Sequence, residues 1–122
     1  VFNEIDVDWN KTLFIVEGPL DLVKCKLVNS TCLLGSTLNA NDMLFYNIVK
    51  NRTDVVLCLD KDAEKKKDKI AKTLVQYNIN VSHVTVENGD IGDLTSEQVL
   101  EVSKQSSVWT EQSALLQRIN ML

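Results

Sequence analysis

Two short runs in this chain are apolar at every position: Leu13-Phe14-Ile15-Val16 and Val55-Val56-Leu57-Cys58-Leu59. A strand with one wet face alternates apolar and polar residues, because successive side chains point to opposite sides. Unbroken runs predict strands covered on both faces, as in a parallel sheet. Residues 11–16 and 54–59 are the expected first and third strands. Ser30-Thr31-Cys32-Leu33-Leu34 predicts a second strand over residues 30–34. Residues 81–86 (Val-Ser-His-Val-Thr-Val) alternate in part, so a fourth strand is expected nearer an edge.

Between these runs the spacing is helical. Pro19 suits a first helical turn and predicts a short helix to about Leu27. Asn39 or Asn41 can cap a helix through about Lys50, with Leu44, Phe45, Ile48 and Val49 on its apolar face. Ile70, Ala71, Leu74 and Tyr77 make the inward stripe of a helix from about Ala63 to Tyr77, ended by Asn78-Ile79-Asn80. Thr95-x-x-Gln98 is a capping-box pattern opening a helix over Glu97–Gln105. A last amphipathic helix is expected near Thr110–Ile119, with Trp109 and the stripe Leu115-Leu116-Ile119 packing on the sheet or meeting a neighbouring domain. Strands alternating with helices imply an α/β fold: a central, mostly parallel four-stranded sheet with right-handed crossovers and helices on both faces.

The 122 residues suggest one domain. Residues 1–10 read as a lead-in from a preceding domain, 11–105 as the domain itself, and 106–122 as a C-terminal helix packing on it. A chain that opens on Val1 and enters a strand within about ten residues is expected to be a piece of a longer protein. The net charge of −4 argues against this piece being the main nucleic-acid grip, which needs a basic face. The three cysteines, Cys25, Cys32 and Cys58, are odd in number and have no Cys-x-x-Cys spacing. That argues against a disulfide framework and a structural zinc, and Cys32 and Cys58 read as small core hydrophobes. A reduced cytoplasmic setting is expected, with no signal peptide or membrane-length apolar run.

The candidate chemistry sits where the strands end. Glu17-Gly18-Pro19-Leu20-Asp21 comes after the first strand and Asp60-Lys61-Asp62 after the third. Ligands of open α/β sheets bind beyond the carboxyl ends of such strands. Glycine allows a sharp turn off the strand, and Asp21 falls in a first helical turn, beside the positive dipole end. If Asp60 and Asp62 lie on an extended segment they share a side. Converging carboxylates repel by about 4 kcal/mol at an effective dielectric near 20, and a hard divalent cation relieves that. Asp90-Ile91-Gly92-Asp93 comes after the fourth strand and would reach the same rim. Each motif alone also has a plainer reading: a solvated Glu17 with Asp21 capping its helix, a solvent-facing helix start at Asp60-x-Asp62, and a surface turn at Asp90–Asp93. Their combination after strands of one sheet favours a site. The run Lys65-Lys66-Lys67-Asp68-Lys69, with Lys61 and Lys72, could touch phosphates, or could be a solvated helix face in which Asp68 and Lys72 form an i,i+4 pair. Ser36 and Thr37 could donate to a phosphate or merely line a loop. His83, the single histidine, reads as structural.

In order and spacing, Glu17-Gly18-x-x-Asp21, Leu34-Gly35-x-x-Leu38, Val55 to Ala63 with its Asp60-Lys61-Asp62, and Gly89-Asp90-Ile91-Gly92-Asp93-Leu94 resemble the Toprim domain. More narrowly, they resemble the Toprim domain of bacterial and phage DNA primases of the zinc-finger type, over residues 11–104. The chain departs from their pattern at Lys65, where Gly is usual, and at Ile91, where Pro is usual. The resemblance implies catalytic Glu17, Asp60 and Asp62 binding Mg²⁺ or Mn²⁺ with Asp90. Gly18, Asp21 and Asp93 would support the site, and Lys61, Lys65, Ser36 and Thr37 could contact nucleotide or nucleic acid. It implies RNA primer synthesis on single-stranded DNA from nucleoside triphosphates, with a basic subdomain, a zinc-binding domain and possible replicative-helicase contacts outside this chain, in a bacterial cytoplasm or phage-infected cell. Two other Toprim functions use the same motifs: a nuclease whose acids activate water, and a non-catalytic assembly module. A topoisomerase would need a nucleophilic tyrosine, and Tyr46 and Tyr77 fall on predicted helix faces.

Overall fold

The unbroken apolar runs form the two central strands of the sheet. The computed structural model describes residues 6–33, 41–84, 86 and 91–120, with the backbone alone at residues 61, 117, 118 and 120. Strands β1 (Leu13–Val16), β2 (Ser30–Cys32), β3 (Val55–Cys58), β4 (Val81–His83) and β5 (Ser107–Val108) form one sheet in the order β2-β1-β3-β4-β5. The first four are parallel and β5 is antiparallel to β4. The helices are α1 (Pro19–Leu22), α2 (Asp42–Asn51), α3 (Glu64–Gln76), α4 (Ser96–Ser103) and α5 (Glu111–Asn120), with 3-10 turns at Lys61–Ala63 and Ile91–Asp93. The protein is thus α/β with a mostly parallel sheet.

Strand alternation divides the core in two. Leu13, Ile15, Val55, Leu57 and Val81 face a layer made by Leu44 and Ile48 of α2, Ile70, Ala71 and Leu74 of α3, and Ala114 of α5. Phe14, Val16, Val56 and Cys58 face the other way, against Cys25, Val99 of α4 and the half-buried Leu22 and Val102. Both faces are covered, as the sequence predicts. The chain runs from β1 outward to β2, returns past β1 to β3, and continues to β4. The winding therefore reverses between β1 and β3, which makes that pair the topological switch point of the sheet.

Several expectations are corrected. The sheet has five strands rather than four. The extra one, β5, is two exposed residues with no apolar pattern, held by pairing of Ser82 with Val108 and His83 with Ser107. Helix α1 stops at Leu22 rather than Leu27, and β4 stops at His83. Asn41 takes the N-cap position of α2 without a side-chain cap bond; Asn39 and the end of the expected second strand at Leu34 lie outside the described residues. Tyr77 is 61% exposed: α3 ends before it, and Asn78 turns left-handed (φ 65°) so that Ile79 takes the buried place. Thr95 and Gln98 form the predicted capping box of α4.

The largest departure is α5. Its start is fixed by Trp109, whose backbone N–H donates to Val81 O (2.9 Å) and whose Nε1 donates to Asp68 Oδ1 (3.0 Å). Thr110 and Ser113 then cap each other's backbone N–H groups. That phase turns Ala114 inward and leaves Leu115, Leu116 and Ile119 57%, 60% and 52% exposed. The stripe expected to pack on the sheet does not. No helix among the described residues is long and apolar enough to cross a membrane.

These placements separate two leucines. Leu57→Ala, at a fully buried position, should lower unfolding free energy by about 2–5 kcal/mol. Leu115→Ala should change it by less than about 0.5 kcal/mol. Urea denaturation of both variants checks the contrast.

Candidate functional site at the β1–β3 switch point

Parallel pairing of Val16 with Cys58 brings the ends of two neighbouring strands level. Glu17 leaves β1, and Asp60 leaves β3, at the same carboxyl edge. The expected convergence on one edge is therefore present for these two segments. Glu17 reaches toward α3: its Oε1 accepts from Lys66 Nζ at 2.8 Å, with both side chains mostly covered. Its Oε2 is buried and has no hydrogen-bond partner among the described residues. A buried carboxylate oxygen without a donor is costly, so this atom is an acceptor open to a donor or a cation.

Asp60 and Asp62 are both exposed. Asp60 is extended, but Lys61–Ala63 forms a 3-10 turn closed by Ala63 N–H to Asp60 O at 2.9 Å. The stretch from Asp60 to Asp62 is therefore a 3-10 turn entered from an extended residue, not the extended segment on which the two were expected to share a side. Gly18 is extended too (φ −151°), a backbone open to any residue, and a Cβ there would meet open space. The turn therefore does not require glycine; Gly18 instead leaves room in front of the edge.

Asp21 sits in α1 and Asp93 in the exposed turn that packs beside α1. Asp21 and Asp60 both act on Cys58: burial first, then Cys25, Asp21 and Asp60, push its thiol up to about 12. Burial, then Asp21 and Cys32, likewise push Cys25 to about 12, and Cys32 is raised by burial and Asp21. All three cysteines are free and buried, so at neutral pH they stay protonated and serve as core.

Asp90, Ser36 and Thr37 lie outside the described residues, as does the side chain of Lys61. Lys65 is not at the switch point; it lines a groove between α3 and α5. Among the described residues, no three His, Cys, Asp or Glu side chains are grouped to hold a metal ion.

The lysine run is not one solvated face. Lys66 is bound to Glu17, and Lys67, only 4% exposed, pairs with Glu64 (2.9 Å) and lies 3.1 Å from His83 Nδ1. An ammonium only donates, so Nδ1 must accept and the imidazole is held neutral with its proton on Nε2. Burial and then Lys67 lower the His83 pKa, against the opposing pull of Glu64 and Asp68. Asp68 is also buried and accepts from Trp109. One signal could have found Lys67 in the sequence: Lys67, Ile70, Ala71 and Leu74 share the i, i+3, i+4, i+7 phase of the buried stripe. Nothing in the spacing pairs Lys66 with Glu17 or Asp68 with Trp109.

No family model matches this chain, and no curated protein does.

The half-buried histidine and the buried thiols each lend themselves to a measurement. Because His83 binds its proton less readily folded than unfolded, its contribution to stability is complete above about pH 6.5 and is lost as pH falls below that. Denaturation across this range should show the loss in the wild type and a flatter profile in His83→Asn. A thiol reagent at mildly alkaline pH should label none of the three cysteines in the native protein and all of them after denaturation.

Proposed function

We propose that this chain is the metal-binding Toprim core of a DNA primase, acting in the cytoplasm on single-stranded DNA and nucleoside triphosphates. The observation that carries the reading is the meeting of Glu17 and the Asp60–Asp62 segment at the β1–β3 switch point, with one buried Glu17 oxygen unpartnered. Oxygen donors of this kind suit hard divalent cations, and the orphaned atom fits such an ion. Glu17, Asp60 and Asp62 would hold Mg²⁺ or Mn²⁺, with Asp90 as a further ligand. When bound, the metal supplies stabilisation to the charge that builds on phosphate oxygens during nucleotidyl transfer.

The chain's own residues set the conditions. Lys66 donates to Glu17 Oε1 and holds the carboxylate oriented at the edge. The open space at Gly18 lets a phosphate approach the backbone. The net charge of −4 leaves the template grip to a basic subdomain and a zinc-binding domain outside these residues.

Mn²⁺ titration by calorimetry is the first test. The wild type should bind, and Glu17→Gln and Asp60→Asn/Asp62→Asn should each lose about tenfold or more in affinity, about 1.4 kcal/mol. In Lys66→Met, which strips Glu17 of its ammonium, saturating Mg²⁺ should raise the melting temperature more than in the wild type. Primer synthesis on single-stranded DNA by a chain carrying the upstream region, abolished by Asp60→Asn/Asp62→Asn, is the functional readout. Mn²⁺-dependent nicking of duplex DNA without primer synthesis would assign the nuclease reading instead. Metal binding indifferent to all three carboxylates would remove the proposal.

A further inference from the structure

The lysines of α3 divide into two groups with different partners. Lys66 and Lys67 are turned inward and paired with Glu17 and Glu64. Lys65, Lys69 and Lys72 are exposed, and none of them pairs with a carboxylate among the described residues. At i, i+4 and i+7 they form a single row along the helix, about 10 Å long at 1.5 Å per residue. That row is one wall of a groove of about 540 Å³ between α3 and α5. Trp109, Ala114 and Leu115 supply its apolar part. Beyond it the exposed Leu116 and Ile119 continue the apolar surface of α5.

We propose that this groove docks an acidic amphipathic helix of a partner protein. Its carboxylates would sit on Lys65, Lys69 and Lys72, and its apolar side chains on Leu115, Leu116 and Ile119. The row of cations stands out on a chain of net charge −4, so the patch selects negative charge locally while the rest of the molecule repels it. The adjoining wall on α5 presents Glu111 and Gln112 beside Ala114 and Leu115, and none of these is aromatic; that decides the class of partner. Single-stranded nucleic acid is gripped by pairing a basic track with exposed aromatic faces for base stacking, whereas the groove's aromatic, Trp109, is 4% exposed with its N–H committed to Asp68. A helix laid in a groove uses apolar anchors along one face, and Leu115, Leu116 and Ile119 are the exposed apolar positions that would meet them. The docking surface is separate from the switch point, so it stands whether or not the primase reading does.

The test is a selection on the immobilised chain from a displayed library of helix-forming peptides of about 16 residues, roughly four and a half turns. The expected result is enrichment of sequences with Asp or Glu on one face and Leu, Ile or Phe on the adjacent face. A synthetic peptide of the enriched sequence should lose about tenfold in affinity to K65E/K69E/K72E and about tenfold to L116D/I119D, each equal to about 1.4 kcal/mol. Circular dichroism checks that both variants fold; K65Q/K69Q/K72Q replaces the charge reversal if it does not. No enrichment, enrichment of basic or uncharged sequences, or binding indifferent to both variants overturns the proposal. So does fluorescein-labelled oligo-dT binding that depends on the same three lysines, or self-association through this face seen by sedimentation and abolished by L116D/I119D.

Discussion

The pairing of Leu13–Val16 with Val55–Cys58 is the constraint on which the carboxyl edge depends. Both strands are buried on both faces, so polarity alternation, which usually fixes register, is missing here. The ends remain to set it. A slip of β1 toward its amino end would draw Glu17 between the helix layers, and a longer slip of β3 the same way would draw in Asp60; burying an unpaired carboxylate costs several kcal/mol. At the other end, Leu13 N–H donates to Asp54 O, Phe14 N–H to Asn29 O and Val55 N–H to Asn80 O. Asn29 also exchanges hydrogen bonds with Asp8, and Thr53 Oγ1 donates to Trp9 O. The acidic residues of the candidate site thus double as stops that hold the sheet in register.

Helix α3 ties that edge to the rest of the molecule through three consecutive residues. Lys66 reaches the residue after β1, Lys67 reaches β4, and Asp68 reaches the residue after β5. Successive helical side chains point about 100° apart, so one turn can fasten three elements only if they fan around it, as the order β1-β3-β4-β5 lets them. Each link joins a charged group to a charged or polar partner under cover of apolar packing, where truncating one partner leaves the other uncompensated. The same turn sets the position of Glu17, the tautomer of His83 and the seat of Trp109.

Much of this fold was legible in the sequence because it was written in periodicity. Unbroken apolar runs announced covered parallel strands, and the Thr95–Gln98 box announced a helix start. The misses share a cause: they depend on partners distant in the chain. Ser107-Val108 carries no strand pattern, and only β4 makes it one. The stripe Leu115-Leu116-Ile119 has a proper helical period, yet the anchoring of Trp109 to Asp68 sets the helix phase and turns Ala114 inward instead. At the site, the edge shared by Glu17 and Asp60 could be deduced from strand order. The 3-10 turn that starts after Asp60, and the ammonium that takes Glu17 Oε1, could not.

Net charge conceals how the charges are arranged. Seventeen acids against thirteen bases leave −4, but the signs are sorted by helix face. Glu17 and Asp60 follow the ends of β1 and β3 at the carboxyl edge of the sheet, while Lys65, Lys69 and Lys72 line a groove on α3 with Lys66 and Lys67 turned inward between them. Both regions lie within a few turns of the same helix. At an ionic strength near 0.15 M the screening length is about 8 Å, shorter than the row of lysines itself, so an anion on the outer face and a cation at the edge would sense each other only weakly through solvent. Coupling between them would have to pass through the packed helix, and the residues in its path are those already committed: Lys66 to Glu17, Lys67 to Glu64 and His83, and Asp68 to Trp109.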